Sequence, residues 1–182
     1  MQTYIAILRG VNVGAQKKVL MAELKEVLKK LKLQNIATYI QSGNIVFKSA
    51  EKLSNEDFAA KIEKAIHKHF KFEVPVLVRN AAEWKKAIAA NPFPKNKKID
   101  LARVHVTFLS AEPAKALIDE IKKISYPPDE FVINGKEVYL HTPGGYGETK
   151  LSNSFFEKKL KVTATTRNWK TVNTLLEMAE AI

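Results

Sequence analysis

The run Tyr4-Ile5-Ala6-Ile7-Leu8 decides the fold of the N-terminal half. Five apolar residues in succession predict a β-strand that is buried on both faces, because a strand with one wet face alternates apolar and polar residues. An amphipathic helix is expected at residues 20–31, followed by a hairpin whose turn contains Gly43. Ser54 begins a second helix, and a strand at residues 74–78 completes the order. The order β-α-β-β-α-β is the ferredoxin-like arrangement.

The C-terminal half repeats most of this order after a short helix at residues 82–90 and a loop rich in proline and lysine. Residues 104–109 predict a strand, and Asn134-Gly135 predicts the turn of a second hairpin. A further helix is expected near residues 151–160. No closing strand is predicted, and a last helix from about Asn168 to the C-terminus takes its place.

The predicted fold class is therefore α+β, with two tandem ferredoxin-like (β-α-β-β-α) modules packed as one compact unit. Residues 1–80 are expected to form the first module, with its closing strand. Residues 81–182 are expected to form a linker helix, the second module and the C-terminal helix. This indicates an internal duplication that rests on element order, because residue identity between the halves is faint.

The composition of the 182 residues is that of a globular protein, with 46% hydrophobic and 27% charged residues. Cysteine is absent, which excludes disulfides, thiol nucleophiles and thiolate metal sites. No apolar run approaches the roughly 20 residues that cross a bilayer, and we expect no signal peptide before the first strand. We therefore expect a soluble cytoplasmic protein with no membrane partner.

The net charge is +11, from 30 basic and 19 acidic residues. Residues 1–80 contain 14 basic and 7 acidic residues, so this part alone has a net charge of +7. A basic surface attracts phosphates and speeds encounters with polyanions. The alternative is that lysines coat solvated faces without binding anything, and the sequence leaves both interpretations open.

Polar residues collect where the first strand ends and where the first hairpin turns. Strands one and two of such a module run parallel, so the end of strand one and the turn after strand two lie at the same end of the sheet. Glycine-rich loops near strand ends can hold an anion. Alternatively, the loop is a plain turn in which Asn12 bonds its own backbone. The candidate ligand-binding residues here are Arg9, Asn12, Gln41, Ser42 and Asn44.

Two more polar clusters lie in the C-terminal half. The loop at residues 142–152 has three glycines and Lys150, which could serve as a point charge on a phosphate. The segment at residues 163–171 contains Arg167 and Asn168 as candidate ligand-binding residues. The alternative interpretations are a flexible connection capped by Ser152 or Thr149, and a helix cap at Asn168 or Thr166.

The sequence predicts no metal site and no cofactor. His67 and His69 are two positions apart on a predicted helix, so they do not share a face. No catalytic arrangement can be recognised, so the catalytic residues, and whether the protein is an enzyme, stay open.

The sequence resembles the bacterial domain-of-unknown-function 1697 family over nearly its whole length. The resemblance implies tandem ferredoxin-like modules and brings no established activity, and its segments coincide with the three polar clusters. These segments are Ile7-Leu-Arg-Gly-Val-Asn-Val-Gly14, Met21-Ala-Glu-Leu24, Thr38-Tyr-Ile-Gln-Ser-Gly-Asn-Ile-Val-Phe47, Gly145-Tyr-Gly-Glu-Thr-Lys-Leu-Ser152 and Thr165-Thr-Arg-Asn-Trp-Lys-Thr-Val172.

Three hypotheses on function follow from the sequence. The first is an anion-binding module for a phosphorylated small molecule or nucleic acid. The second is an enzyme of unknown reaction whose polar cleft, at the strand ends, combines the five residues of the first cluster with Arg167. The third is a structural or interaction protein in which these residues form turns and caps. The sequence leaves the ligand and the oligomeric state open.

Overall fold

The computed structural model describes residues 1–14 and 17–182. Within them the fold is mixed α/β, with two four-stranded antiparallel sheets and six α-helices. The chain divides into two compact units, one of residues Met1–Lys86 with Thr174–Ile182 and one of residues Ala87–Asn173.

The first unit contains a sheet of strand order β2-β3-β1-β4. Its elements are β1 (Gln2–Leu8), α1 (Met21–Lys29), β2 (Gln34–Tyr39), β3 (Asn44–Ser49), α2 (Asn55–Phe70), β4 (Val76–Asn80) and most of α3 (Ala81–Ala90). Strand β1 lies between β3 and β4, and Ile5 and Ala6, on its opposite faces, are both fully buried. The prediction of a strand buried on both faces is confirmed.

One face of this sheet is covered by α1 and α2. Leu24 and Leu28 of α1 and Phe58, Ile62 and Ile66 of α2 are fully buried in the same core cluster. Helix α2 begins as predicted, because the Ser54 hydroxyl accepts a hydrogen bond from the Asp57 amide at 3.0 Å. The apolar stripes thus fix both helices on the sheet and leave their lysine-bearing sides in solvent.

The second unit contains a sheet of strand order β6-β7-β5-β8. Its elements are β5 (Val104–Leu109), α4 (Lys115–Ile121), β6 (Glu130–Asn134), β7 (Glu137–His141), α5 (Asn153–Leu160), β8 (Ala164–Asn168) and the first residues of α6 (Trp169–Ala181). Two short 3-10 helices, Phe93–Lys95 and Leu101–Arg103, precede β5. Leu140, Phe156 and Leu160 form its core together with Leu109.

The expectation that the second module lacks a closing strand is wrong. Residues Ala164–Asn168 form β8, which pairs with β5 from His105–Asn168 to Leu109–Ala164. The segment has threonines where a typical strand has aliphatic residues, so its apolar periodicity is weak. Its main-chain pairing with β5 and the bonds of its hydroxyl groups hold it in the sheet.

Strands β4 and β8 end in the same Arg-Asn pair, and a helix follows each at once. The Asn80 side chain accepts a hydrogen bond from the Glu83 amide at 2.9 Å, and the Asn168 side chain accepts one from the Thr171 amide at 2.8 Å. Both asparagines are therefore helix N-caps, and the expectation that Asn168 or Thr166 caps the last helix is met by Asn168.

We predict that Asn80→Ala and Asn168→Ala each lower the free energy of unfolding by about 1 kcal/mol, because each removes the acceptor of an N-cap bond. Aspartate at either position keeps an acceptor oxygen and should restore most of the loss. Urea unfolding of the four variants measures this. Alanine variants as stable as the unchanged protein would contradict the capping role.

Candidate functional site

The Asn12 side chain ties three backbone segments together at one end of the first sheet. Its Nδ2 donates to the carbonyl oxygens of Val19 at 2.8 Å and Gln41 at 2.6 Å, and its Oδ1 accepts from the Val19 amide at 2.9 Å. The loop after β1 and the turn after β2 are therefore adjacent, as the parallel directions of these strands predicted. These bonds give Asn12 a structural role, and a role in ligand binding stays a prediction.

Gly43 allows the hairpin turn to pack closely against the end of β1. Its φ is +74°, and a Cβ there would lie 2.6 Å from Leu8 Cβ and 2.7 Å from Val11 Cγ2. The Leu8 amide donates to the Gly43 carbonyl at 2.8 Å. Asn44 is fully buried and donates to the Tyr39 carbonyl at 3.0 Å and to the Ser42 hydroxyl at 2.9 Å.

Three exposed aliphatic side chains flank this tie. Val13, Leu20 and Ile40 are 72%, 48% and 52% exposed, and each is the chain neighbour of a residue in the Asn12 bonds. Ile40 also has a φ of +49°, a conformation that β-branched residues rarely adopt. The end of the first sheet thus presents an apolar surface beside half-buried Arg9 and exposed Gln41.

In the second unit, Thr166 of β8 joins two of the polar clusters. Its hydroxyl donates to Asn153 Oδ1 at 2.7 Å and accepts from the Tyr146 hydroxyl at 3.0 Å. Its oxygen also lies 2.7 Å from the Thr107 hydroxyl, which must be the donor because Thr166 has only one proton. The clusters at residues 142–152 and 163–171 therefore meet in space.

The loop before α5 is fixed by its own threonine and serine. The Thr149 hydroxyl donates to Asp129 Oδ2 at 2.5 Å, and the Ser152 hydroxyl caps α5 by accepting from the Phe155 amide at 3.2 Å. Lys150 Nζ lies 5.3 Å from the centre of the Tyr126 ring, within cation–π range. A surface cavity of about 290 Å³ is lined by this loop and by residues 126–129.

His105 lies beneath the Tyr146 ring, with ring centres 5.0 Å apart. It is 8% exposed, and its Nδ1 is buried without a hydrogen-bond partner. Burial lowers the pKa of His105, the positive charge of Arg103 lowers it further, and the nearby Arg103 carbonyl opposes both. The neutral imidazole is therefore the main form of His105 at neutral pH.

The two strand-end arginines are bound to main-chain carbonyls. Arg79 is buried and donates to the Val78 carbonyl at 3.0 Å, and half-buried Arg167 donates to the Thr166 carbonyl at 2.8 Å. Burial lowers the pKa of Arg167 to about 10, with a smaller opposing effect of the Tyr146 phenol. Arg167 stays protonated at neutral pH. Arg79 was not among the predicted site residues, although the repeated Arg-Asn pair marks it in the sequence.

A family model described as a protein of unknown function, DUF1697, matches residues 1–139. The chain belongs to this family. The match contains the first three of the resembling segments, and the segments at residues 145–152 and 165–172 lie beyond it. The conserved bacterial protein SP0830 from Streptococcus pneumoniae has a similar structure, with a TM-score of 0.72, 25% identity and 98% of each chain covered. No curated protein matches the chain.

Sequence reasoning missed a basic surface of this family member, here called the lysine groove. It is a cavity of about 500 Å³ between α1 and α2, lined by Val27, Lys30, Leu31, Lys61, Lys64, Ala65, Lys68 and His69. Lys61 bonds to Glu51, whereas Lys30, Lys64 and Lys68 form no ion pair within residues 1–14 and 17–182. The spacing 61, 64, 68 is a helical stripe and was the signal available in the sequence.

Neither a metal-binding cluster nor a membrane-spanning helix is present within residues 1–14 and 17–182. No three His, Asp or Glu side chains in this part of the chain are placed to hold a metal ion. None of the helices in the described ranges is both long and apolar enough to cross a membrane.

We predict that Gly43→Ala lowers the free energy of unfolding by about 2–5 kcal/mol, from backbone strain and overpacking against β1. The matched control is Gly10→Ala, where φ is +71° but a Cβ would meet nothing within 4 Å. That variant should lose only about 1–2 kcal/mol. Equal losses in urea unfolding would show that the hairpin does not press on β1.

We predict that the protein loses stability as the pH falls below about 6.5, the pKa of an unfolded histidine. Burial disfavours the imidazolium of His105, so the unfolded state binds more protons and stability declines with acid. His105→Phe keeps a ring against Tyr146 and should flatten this decline, measured by urea unfolding from pH 8 to pH 5.

The unchanged protein, measured over the same pH range, provides the comparison. A decline of the same slope in His105→Phe and in the unchanged protein would exclude His105 as its source.

Proposed function

We propose that the protein is an anion-binding module whose ligand bears phosphate, as a phosphorylated small molecule or a nucleic acid. The observation that supports this most is the lysine groove, where four ammonium groups border one cavity in a chain of net charge +11. Three of the four are in no ion pair within the described ranges, so an arriving anion displaces only water and counterions.

The spacing of the lysines suits several phosphates rather than one buried anion. Lys64 and Lys68 are one helical turn apart on α2, about 6 Å along the axis. At that distance two ammonium groups repel by roughly 0.7 kcal/mol in water, which the fold tolerates and which a bound polyanion relieves. Three or four contacts of this kind give weak binding that depends strongly on salt.

The loop residues predicted from the sequence are secondary in this proposal. Asn12 and Asn44 already bond main-chain carbonyls, as does Arg167. Arg9 and Lys150, with Gln41, Ser42 and Asn168, are proposed as further ligand contacts. Substitution of these residues shows whether the ligand binds at the loops or in the lysine groove.

We predict that fluorescently labelled oligonucleotides bind at about 50 mM salt, with log Kd rising by about 2–3 per tenfold increase in salt, as expected for three or four phosphate contacts on a single strand. Fluorescence anisotropy measures this. The double variant Lys64→Glu/Lys68→Glu should bind far more weakly. A nucleotide or inorganic polyphosphate as competitor shows whether phosphate alone suffices.

The matched control is Lys158→Glu/Lys159→Glu, which changes the net charge equally on exposed positions of α5. It should bind almost as the unchanged protein does. No binding of any oligonucleotide, nucleotide or polyphosphate would overturn the proposal. Loss of binding in Arg9→Ala or Lys150→Ala, with the groove variant unaffected, would assign the site to the loops.

We further propose that the two units are copies of one ferredoxin-like module. Each has the element order β-α-β-β-α-β followed by a helix, and the strand orders correspond position by position. The pairing of Ile5 with Arg79 corresponds to that of Val106 with Arg167, and each arginine bonds the carbonyl before it. The N-cap asparagine that follows each arginine supports the same origin.

A further inference from the structure

We infer that the lysine groove binds single-stranded nucleic acid in preference to duplex or to a polyanion without bases. This inference rests on the proposed function and names its ligand class. It depends on what lies between the lysines, because ammonium groups alone do not distinguish one phosphate polymer from another.

The floor of the groove is apolar. Val27 is 6% exposed, and Leu31 and Ala65 are partly exposed between the lysines of α1 and α2. A phosphate chain alone would leave this floor in water. Unstacked nucleobases can cover it, and a duplex cannot supply them because its bases are stacked inside the helix.

His69 gives one end of the groove an aromatic ring. Its side chain is 44% exposed, and its Nε2 lies 3.4 Å from Glu23 Oε2. The neighbouring Phe70 ring meets it edge-on, with centres 4.6 Å apart and planes at 80°. These two contacts hold the imidazole in place, and an exposed ring of this kind is a platform on which one base stacks.

Acidic residues border the lysine groove on the other side of Lys64 and limit its length. The adjoining cavity of about 420 Å³ shares Lys64 but is also lined by Glu63, His67 and Glu73. Carboxylates repel phosphates, and Glu51 already pairs with Lys61, so a strand lies along the side of Lys30 and Lys68. Glu23 beside His69 borders the groove at its other end. The footprint is therefore short, on the order of three or four phosphates, which is near the lower limit for single-strand binding folds.

The test compares three probes at about 50 mM salt. They are a mixed-sequence strand of about 12 nucleotides as RNA and as DNA, the corresponding duplexes, and inorganic polyphosphate as competitor. At least one single strand should bind about fivefold more tightly than its duplex, which is the gain in affinity expected from the stacking of one base. His69→Ala should lose about that factor on the strand and nothing on polyphosphate.

The control is His67→Ala, two positions away on α2 and facing the acidic cavity, which should bind the strand as the unchanged protein does. Equal affinity for strand and duplex, or equal losses in the two histidine variants, overturns this inference while phosphate binding stands. Absence of binding to all three probes would contradict the proposed function itself.

Discussion

Main-chain pairing of β1 with β3 on one side and β4 on the other is the interaction on which the first unit depends. Both edges of β1 are paired, and both of its faces are also buried, so its side chains must be apolar. Helices α1 and α2 supply the cover on one face. This requirement excludes charged residues from the middle of the unit. Ligands can therefore bind only on the outer sides of the helices and at the loop ends.

The second unit meets the same requirement with a different chemistry. Strand β5 lies between β7 and β8, but β8 brings threonines instead of aliphatic residues. The Thr166 hydroxyl bonds the side chains of Thr107, Tyr146 and Asn153. It is therefore satisfied inside the fold. Here the polar signature residues hold the sheet together, whereas Lys30, Lys64 and Lys68 of the first unit form no ion pair within residues 1–14 and 17–182.

The elements with local signals were predictable from the sequence. The buried run at β1, the Ser54 cap and the Asn134-Gly135 turn each depend on neighbours in the chain. Strand β8 was not predictable, because only pairing with β5, some 60 residues away, makes it a strand. The adjacency of Asn12 and Gln41 followed from strand direction, whereas the lysine groove required knowing which sides of α1 and α2 face each other.

The Asn12 tie is made entirely to main-chain atoms of its partners. Side chains on the tied segments, such as those of Val13, Leu20 and Ile40, can therefore change while the frame persists. This is the geometry of a binding scaffold, in which a few loop positions are diversified on a rigid support. A combinatorial library at these three positions would explore new surfaces without disturbing the sheet beneath them.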